Sequence, residues 1–553
     1  MKYIYSLITL FITSSVFSQS TFMTPVESNV VPNRSQVETI VASIGYQGYE
    51  EGQEYFGQGE FEIFLDVVDG VLDQPIIILD GFDPGDARDI GGLYNSFDFD
   101  GQNLADILRE EGFDIVILNA PQYTTGGKDI DGGADYIQRN AFVLIELINL
   151  INDQKEGDGE LVVFGPSMGG LIGRYALAYM EDNGMDPETR LYISFDAPHR
   201  GANIPMSLQY LINYLARSVG DPDATAIIEN VLNSPAAKEM LIDHLLAHLL
   251  AGSDFEQDPT KLLPEGAPNF RDAFQAELDA LGFPETVRNV TMVNGSGNSA
   301  TTGTPGMQVV NTNLDLGNFL TADVSLHFMP EAGMTNNITF FETFLFGISV
   351  DLFEADAEAF SFTDGVDSAP GGTANISSAL GAAGNNQVII DFIMALDQDD
   401  YSFIPTISAL AIDNEDDWYV APDIGGIHTS GFVNTFIPAV NESHVQVTPE
   451  NAQFALDEIR LGVLGISDIS LRNKYRLDRN PVGEQIKLIL DGSRDYTDVR
   501  IAAYAVTGQQ VLFQKLPQAS NEIVLDHRLD AGIYMMEISD SEGTHNLKFV
   551  VGR

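Results

Sequence analysis

Six residues, Gly165-Pro166-Ser167-Met168-Gly169-Gly170, stand between an apolar β-branched run, Leu161–Phe164, and a helix-like stretch, Leu171–Met180. A serine between glycines at a strand-to-helix junction is the pattern of a nucleophile held on a sharp, strained bend. Side chains at 165 and 169 would collide with neighbouring backbone, which is why glycine stands at both. The bend lifts the Ser167 hydroxyl above the strand end. It also points the Met168 N–H at the place where charge would develop on an attacked carbonyl. The chemistry implied is acyl transfer through a covalent serine intermediate, which requires no cofactor. A second oxyanion donor is expected from the loop after an earlier strand, Pro75–Asp80, which runs into Gly81-Phe82-Asp83-Pro84. Gly81 permits close backbone approach, and the Phe82 N–H is the expected donor.

A serine hydroxyl needs a base to take its proton. Eight histidines are present, and the chain order nucleophile, acid, base, with the base on a loop before the last helix, selects His444. It lies in Asn441-Glu-Ser-His-Val-Gln-Val-Thr448, ahead of a helix predicted to open at Pro449 with Thr448 as N-cap. His428 has no comparable helix after it, and His199 comes too soon after its strand and is expected to bond its own loop. The acid has two candidates. Asp196 ends the run Leu191–Phe195, while Asp400 precedes Tyr401–Leu410. The strand predicted over Val287–Val293 ends in Asn294-Gly-Ser-Gly297, with no carboxylate at the usual place.

Several elements must position these groups. Pro75–Asp80, Asp114–Asn119, Leu161–Phe164 and Leu191–Phe195 are short and almost wholly apolar, as strands buried on both faces of a parallel sheet must be. Helical stretches alternate with them at Asn103–Glu111, Tyr136–Ile151 and Leu171–Met180, which predicts an α/β fold with a mostly parallel sheet. Two insertions interrupt it. Residues 203–285 read as amphipathic helices (Leu208–Leu215, Ala236–Leu250, Phe270–Leu281), and residues 300–395 as an irregular stretch rich in Gly, Thr, Asn and Phe. Apolar insertions of this kind are expected to form a lid over a site or to serve as structural cover. After about residue 465 the pattern becomes short strands separated by turn signals such as Asp491-Gly492 and Thr507-Gly508, a small all-β sandwich with its own core.

The chain has 553 residues, with 27 Lys+Arg against 81 Asp+Glu and a net charge of −54. That balance excludes nucleic acid and anionic lipid as expected partners. There are no cysteines, so disulfides, thiolate nucleophiles and Cys-ligated metals are excluded. Met1-Lys2, an apolar run to Ile12 and small polar residues to Ser20 have the order of a secretory signal peptide over residues 1–20. Acidic loops at Asp129–Asp135 and Asp413–Asp417 are places for a structural Ca²⁺, though a solvated acidic loop is the better account of either.

Residues from about 70 to 465, within a first domain over 21–465, resemble the α/β-hydrolase superfamily, lipase-like and acyltransferase-like branches, in Gly165-Pro-Ser-Met-Gly169, Ala197-Pro-His-Arg-Gly201 and the Asn294-Gly-Ser-Gly297 strand end. Ile404–Leu410 resembles the segment after the acid in the acyltransferase-like branch, which supports Asp400, although its spacing differs by one residue. The resemblance implies a serine hydrolase of small-molecule or lipid esters. Acyl transfer or amide cleavage by the same serine, or a silent fold used for binding, are the alternatives. Residues from about 470 to 553, within a second domain over 466–553, resemble the C-terminal sorting domain of the bacterial type IX secretion system. The resemblance rests on Asn480-Pro-Val-Gly-Glu484, Tyr504-Ala-Val-Thr-Gly508, Leu529-Asp-Ala-Gly-Ile-Tyr534 and Lys548-Phe-Val-Val-Gly-Arg553. It implies that secretion machinery as a partner, with release from or attachment to the outer surface of a Gram-negative cell.

Overall fold

The structure, a computed structural model, describes residues 35–381 and 387–461 and, beyond these, 475–477, 482, 485–490, 496–505, 510–519, 522–529, 532–540 and 543–551. The signal peptide expected over residues 1–20 lies outside the described residues. The chain divides into two compact units near residue 455.

The first unit is built on an eight-stranded sheet. In chain order its strands are β1 (Glu38–Tyr46), β2 (Tyr55–Phe64), β3 (Pro75–Leu79), β4 (Asp114–Asn119), β5 (Leu161–Pro166), β6 (Thr189–Phe195), β7 (Arg288–Met292) and β8 (Asn434–Phe436). In space they run β1-β2-β4-β3-β5-β6-β7-β8. The strands from β4 to β8 pair in parallel, and β1 and β2 join antiparallel at one edge. This is the α/β-hydrolase arrangement. All five residues of β3 and all six of β4 are buried, because helices cover both faces of the sheet.

β1 and β2 carry little of the periodic signal that marks a strand in a sequence. Their place in the sheet rests on Gly57 and Gly59: a methyl group there would come within 2.6 Å and 2.8 Å of the Val143 side chain. The helix Ile137–Gln154 therefore packs directly on the strand backbone. Arg139 of that helix is fully buried. Its Nη1 donates to both carboxylate oxygens of Asp135 at 2.7 Å, and its Nη2 pairs with Glu51. Burial pushes Asp135 up to about 6 despite that partner.

The 203–285 insertion is helical, but Ala236–Leu250 is not one helix. It breaks after Met240, where Leu241 bridges to Ala202, and resumes at Leu245. The 300–395 insertion differs more from the sequence reading. It holds a four-stranded antiparallel meander, Gln308–Gly317, Leu320–His327, Thr335–Leu345 and Ile348–Glu358. Two of its hairpins turn at Asn318-Phe319 and Phe346-Gly347, with both central residues of each in the left-handed region. Phenylalanine at such a position conceals a turn that Asn-Gly would announce. The two insertions pack on each other: Tyr214 of the helix Met206–Tyr214 stacks on Phe353 at 4.6 Å and donates to Asp351 at 2.6 Å.

In the second unit, two antiparallel sheets of three and four strands carry Ile486, Leu488, Val499, Ile501, Met536 and Ile538 into one core. The sandwich includes a last strand, Gly543–Val551, beyond those read from the sequence.

Breaking the buried ion pair tests how far the sheet depends on it. Arg139→Met leaves Asp135 without its partner in the interior and is expected to cost about 3–5 kcal/mol. Denaturant unfolding checks this, and wild-type stability would contradict it.

Candidate active site

Ser167 sits between the end of β5 and the helix Met168–Asp182, with φ 52° and ψ −129°. That is a strained conformation for a residue with a side chain, and the surroundings impose it. A methyl group on Gly165 would stand 2.4 Å from the Gly169 carbonyl oxygen, one on Gly169 2.7 Å from the Asp80 carbonyl oxygen, and one on Gly170 2.4 Å from the Ala197 Cβ. The turn can therefore follow only this path, wedged between the ends of β3 and β6. The Ser167 N–H donates to the Phe195 carbonyl at 2.8 Å and fixes it to β6. The N-terminus of the helix, and with it the Met168 N–H, lies at the serine, where its dipole favours negative charge.

His444 reaches the serine from the loop before the helix Pro449–Leu461. Thr448 and Asn451 exchange capping bonds at that helix start, at 2.8 Å and 3.3 Å, as the N-cap reading expected. The His444 Nε2 is 2.8 Å from Ser167 Oγ, and Nδ1 is 2.7 Å from Asp196 Oδ2. Asp196 is fully buried at the end of β6, with φ 47°. Its other oxygen accepts the Asn294 backbone N–H at 3.0 Å. Two charge-directed bonds hold the carboxylate still, and the imidazole is fixed with Nδ1 toward it.

The remaining candidates are placed as follows. Asp400 is exposed and its carboxylate bonds the Asn375 side chain, while His444 Nδ1 faces Asp196. The segment carrying Asp400 contributes differently, through Phe403, whose ring packs edge-on against the His444 imidazole at 4.9 Å. Phe82 follows Gly81 at the end of β3, and a methyl group on Gly81 would lie 3.2 Å from Ser167 Cβ. The Gly81 N–H is turned onto Asp80 at 2.7 Å. His199 is buried against Ser194 at 2.9 Å, and burial drives it well below the usual imidazole range. His428 accepts the Asp423 N–H, and His244 and His248 bond within the helical insertion.

Besides Phe403, two contributors went unread in the sequence. Asn294 stands at the end of β7, where a carboxylate was sought. It ties Asp196 to the histidine loop: its side chain donates to Glu442 at 2.9 Å and to the Gln446 carbonyl at 3.0 Å. Gly372 leaves room for Asp196, since a methyl group there would fall 2.0 Å from Oδ2. The Gly371-Gly372 pair inside a strand was the available signal of such a close approach. In the acidic loops, Asp135 serves Arg139, Asp131 accepts the Gly85 N–H, and Asp416 pairs with Arg200. Among the described residues no His, Asp or Glu cluster is arranged to hold a metal ion, and no helix is long and apolar enough to cross a membrane.

Residues 480–552 match the family described as the secretion system C-terminal sorting domain. Such a domain marks proteins that are secreted or kept at the cell surface, and it engages the secretion machinery. No curated protein matches the chain. Among solved structures it is similar to the mature form of a Bacillus licheniformis lipase, at 14% identity over 42% of this chain and 72% of that one, with a TM-score of 0.23. The propeptide form of that lipase matches at 9% identity over 94% and 97%, with a TM-score of 0.27. A hyperthermophilic esterase from the archaeon Pyrobaculum calidifontis matches at 10% identity over 47% and 64%, with a TM-score of 0.24. Likeness at these scores leaves the chemistry to be read from the site itself.

The wedge around Ser167 has a direct consequence. Gly169→Ala puts a methyl group against a backbone carbonyl that cannot yield, so it is expected to cost roughly 1–3 kcal/mol and most of the activity. Gly91→Ala, whose nearest neighbour is a side-chain oxygen at 3.4 Å, is expected to cost neither. Melting curves and initial rates compare the two, and equal behaviour would contradict the wedge.

Proposed function

We propose that the chain is an exported serine hydrolase of carboxylic esters, with residues 21–465 carrying the chemistry and residues 466–553 directing delivery. The observation that carries this reading is the continuous line of short hydrogen bonds from Asp196 through His444 to Ser167, ending on a strained serine at a helix N-terminus.

In this mechanism Ser167 Oγ attacks the acyl carbon while His444 Nε2 takes its proton. The new C–O bond sends the carbonyl electron pair onto oxygen, where the Met168 and Phe82 N–H groups receive the charge. Asp196 stabilises the imidazolium without taking its proton. Collapse of the intermediate breaks the ester C–O bond, and His444 gives its proton to the leaving alcohol. Water, deprotonated by His444, then attacks the acyl-enzyme, releasing the acid and restoring Ser167. Phe403 against the imidazole and Phe82 in the oxyanion loop favour an apolar acyl group. The two insertions serve in this reading as cover for an acyl groove.

The acid assignment separates two variants. Asp196→Asn is expected to lower kcat by about 10⁴-fold, since it leaves the imidazole in the wrong tautomer, whereas Asp400→Asn retains the wild-type rate. Initial rates on p-nitrophenyl esters of rising chain length check both and give the acyl preference. Full activity in Asp196→Asn would contradict the reading.

A further inference from the structure

Asp80 closes β3 on the floor of the site and is 4% exposed. Its Oδ1 accepts the Gly81 N–H at 2.7 Å and the Arg88 Nη2 at 2.8 Å. The same guanidinium reaches the Phe82 carbonyl at 3.5 Å, and the Arg88 backbone N–H donates to Asp83 Oδ2 at 2.8 Å. Asp80 and Arg88 thus grip the chain on both sides of the Phe82 N–H. The loop has no room to drift, because Gly81 abuts the Ser167 side chain and the Asp80 carbonyl abuts Gly169.

The second carboxylate oxygen, Oδ2, has no protein partner, and neither has Asn119 Oδ1, which is equally buried. Both residues line a cavity of about 20 Å³, walled also by Leu79, Asn140, Val143 and Ile172. That volume is about the size of one water molecule.

We propose that Asp80, paired with Arg88, is the positioning residue that aims the Phe82 N–H at the oxyanion formed during attack by Ser167. The inference rests on the ester-hydrolase reading above. A donor contributes to the transition state only when it is held to within about half an ångström of its place. A carboxylate held by both the Gly81 N–H and the Arg88 guanidinium supplies that constraint.

Burial pushes the Asp80 carboxyl up to about 7, against the opposing pull of Arg88. The charged groups facing it are Arg88, Asp83 and Asp86, all from its own loop. The cavity walls from β2, β4 and the helices Ile137–Gln154 and Met168–Asp182 present uncharged residues. Asp80 must then be deprotonated to hold the loop, so its protonation at low pH adds to the acid limb of log kcat against pH.

Wild-type ester turnover, and its loss in Ser167→Ala, establish the reaction first; failure there would strike the hydrolase reading and not Asp80. Within that reaction, Asp80→Asn is expected to lower kcat roughly 10- to 100-fold with KM and melting temperature held. Its acid limb is shallower than that of the wild type. Arg88→Gln shows a similar loss, the double variant is no worse than either single one, and Arg88→Lys retains most of the rate. Wild-type kcat and slope in Asp80→Asn would overturn the proposal. So would losses in both single variants that follow a fall in melting temperature, because a purely structural ion pair would behave that way.

Discussion

The imidazole of His444 is fixed by two short hydrogen bonds on opposite sides, and every other feature of the site follows from keeping them in line. Ser167 arrives from the sheet centre and His444 from a loop 277 residues later, so neither local structure nor sequence proximity brings them together. The sheet does so. Three adjacent parallel strands, β5, β6 and β7, end at one level. Their ends deliver Ser167, Asp196 and the Asn294 N–H side by side.

That alignment is maintained against strain. Ser167, Asp196 and Val445, the neighbour of His444, all have φ near 50°, a conformation costing on the order of 1 kcal/mol or more for residues with side chains. It persists because the alternatives are blocked. Gly165, Gly169, Gly170 and Gly372 face backbone, the Ala197 Cβ or a carboxylate at distances where no methyl group fits. The glycines thus set how closely β3, β5 and β6 approach, and the approach sets the direction of the serine. Large buried side chains elsewhere in the sheet provide the burial that offsets this local cost.

What could be read from the sequence divides along the same physical line. The buried strands β3 to β6 are continuous apolar runs bounded by turn residues, and Gly-x-Ser-x-Gly, Asp196 and the His444 loop attach to their ends, so the centre of the fold and the groups that meet there were legible. β1, β2 and the meander from Gln308 to Glu358 were not. In β2 glycine replaces apolar side chains because a helix packs on the backbone itself, and in the meander Asn, Thr and Asp alternate with the buried positions while Phe occupies left-handed turns. Asn294 was conspicuous only as a missing carboxylate. Its bond to Asp196 comes from a backbone N–H, which no side-chain pattern reports, and its side chain serves the histidine loop. Phe403 was likewise hidden, since the interest of its segment lay in Asp400, three residues earlier.

The most direct measurement of the central claim is mass spectrometry of the folded, full-length protein after exposure to a fluorophosphonate, which reacts with a serine only when a positioned base has activated it. The expected result is one adduct per chain, on the peptide containing Ser167, that disappears in His444→Ala. A folded protein that remains unlabelled, or one labelled equally with and without the imidazole, would contradict it.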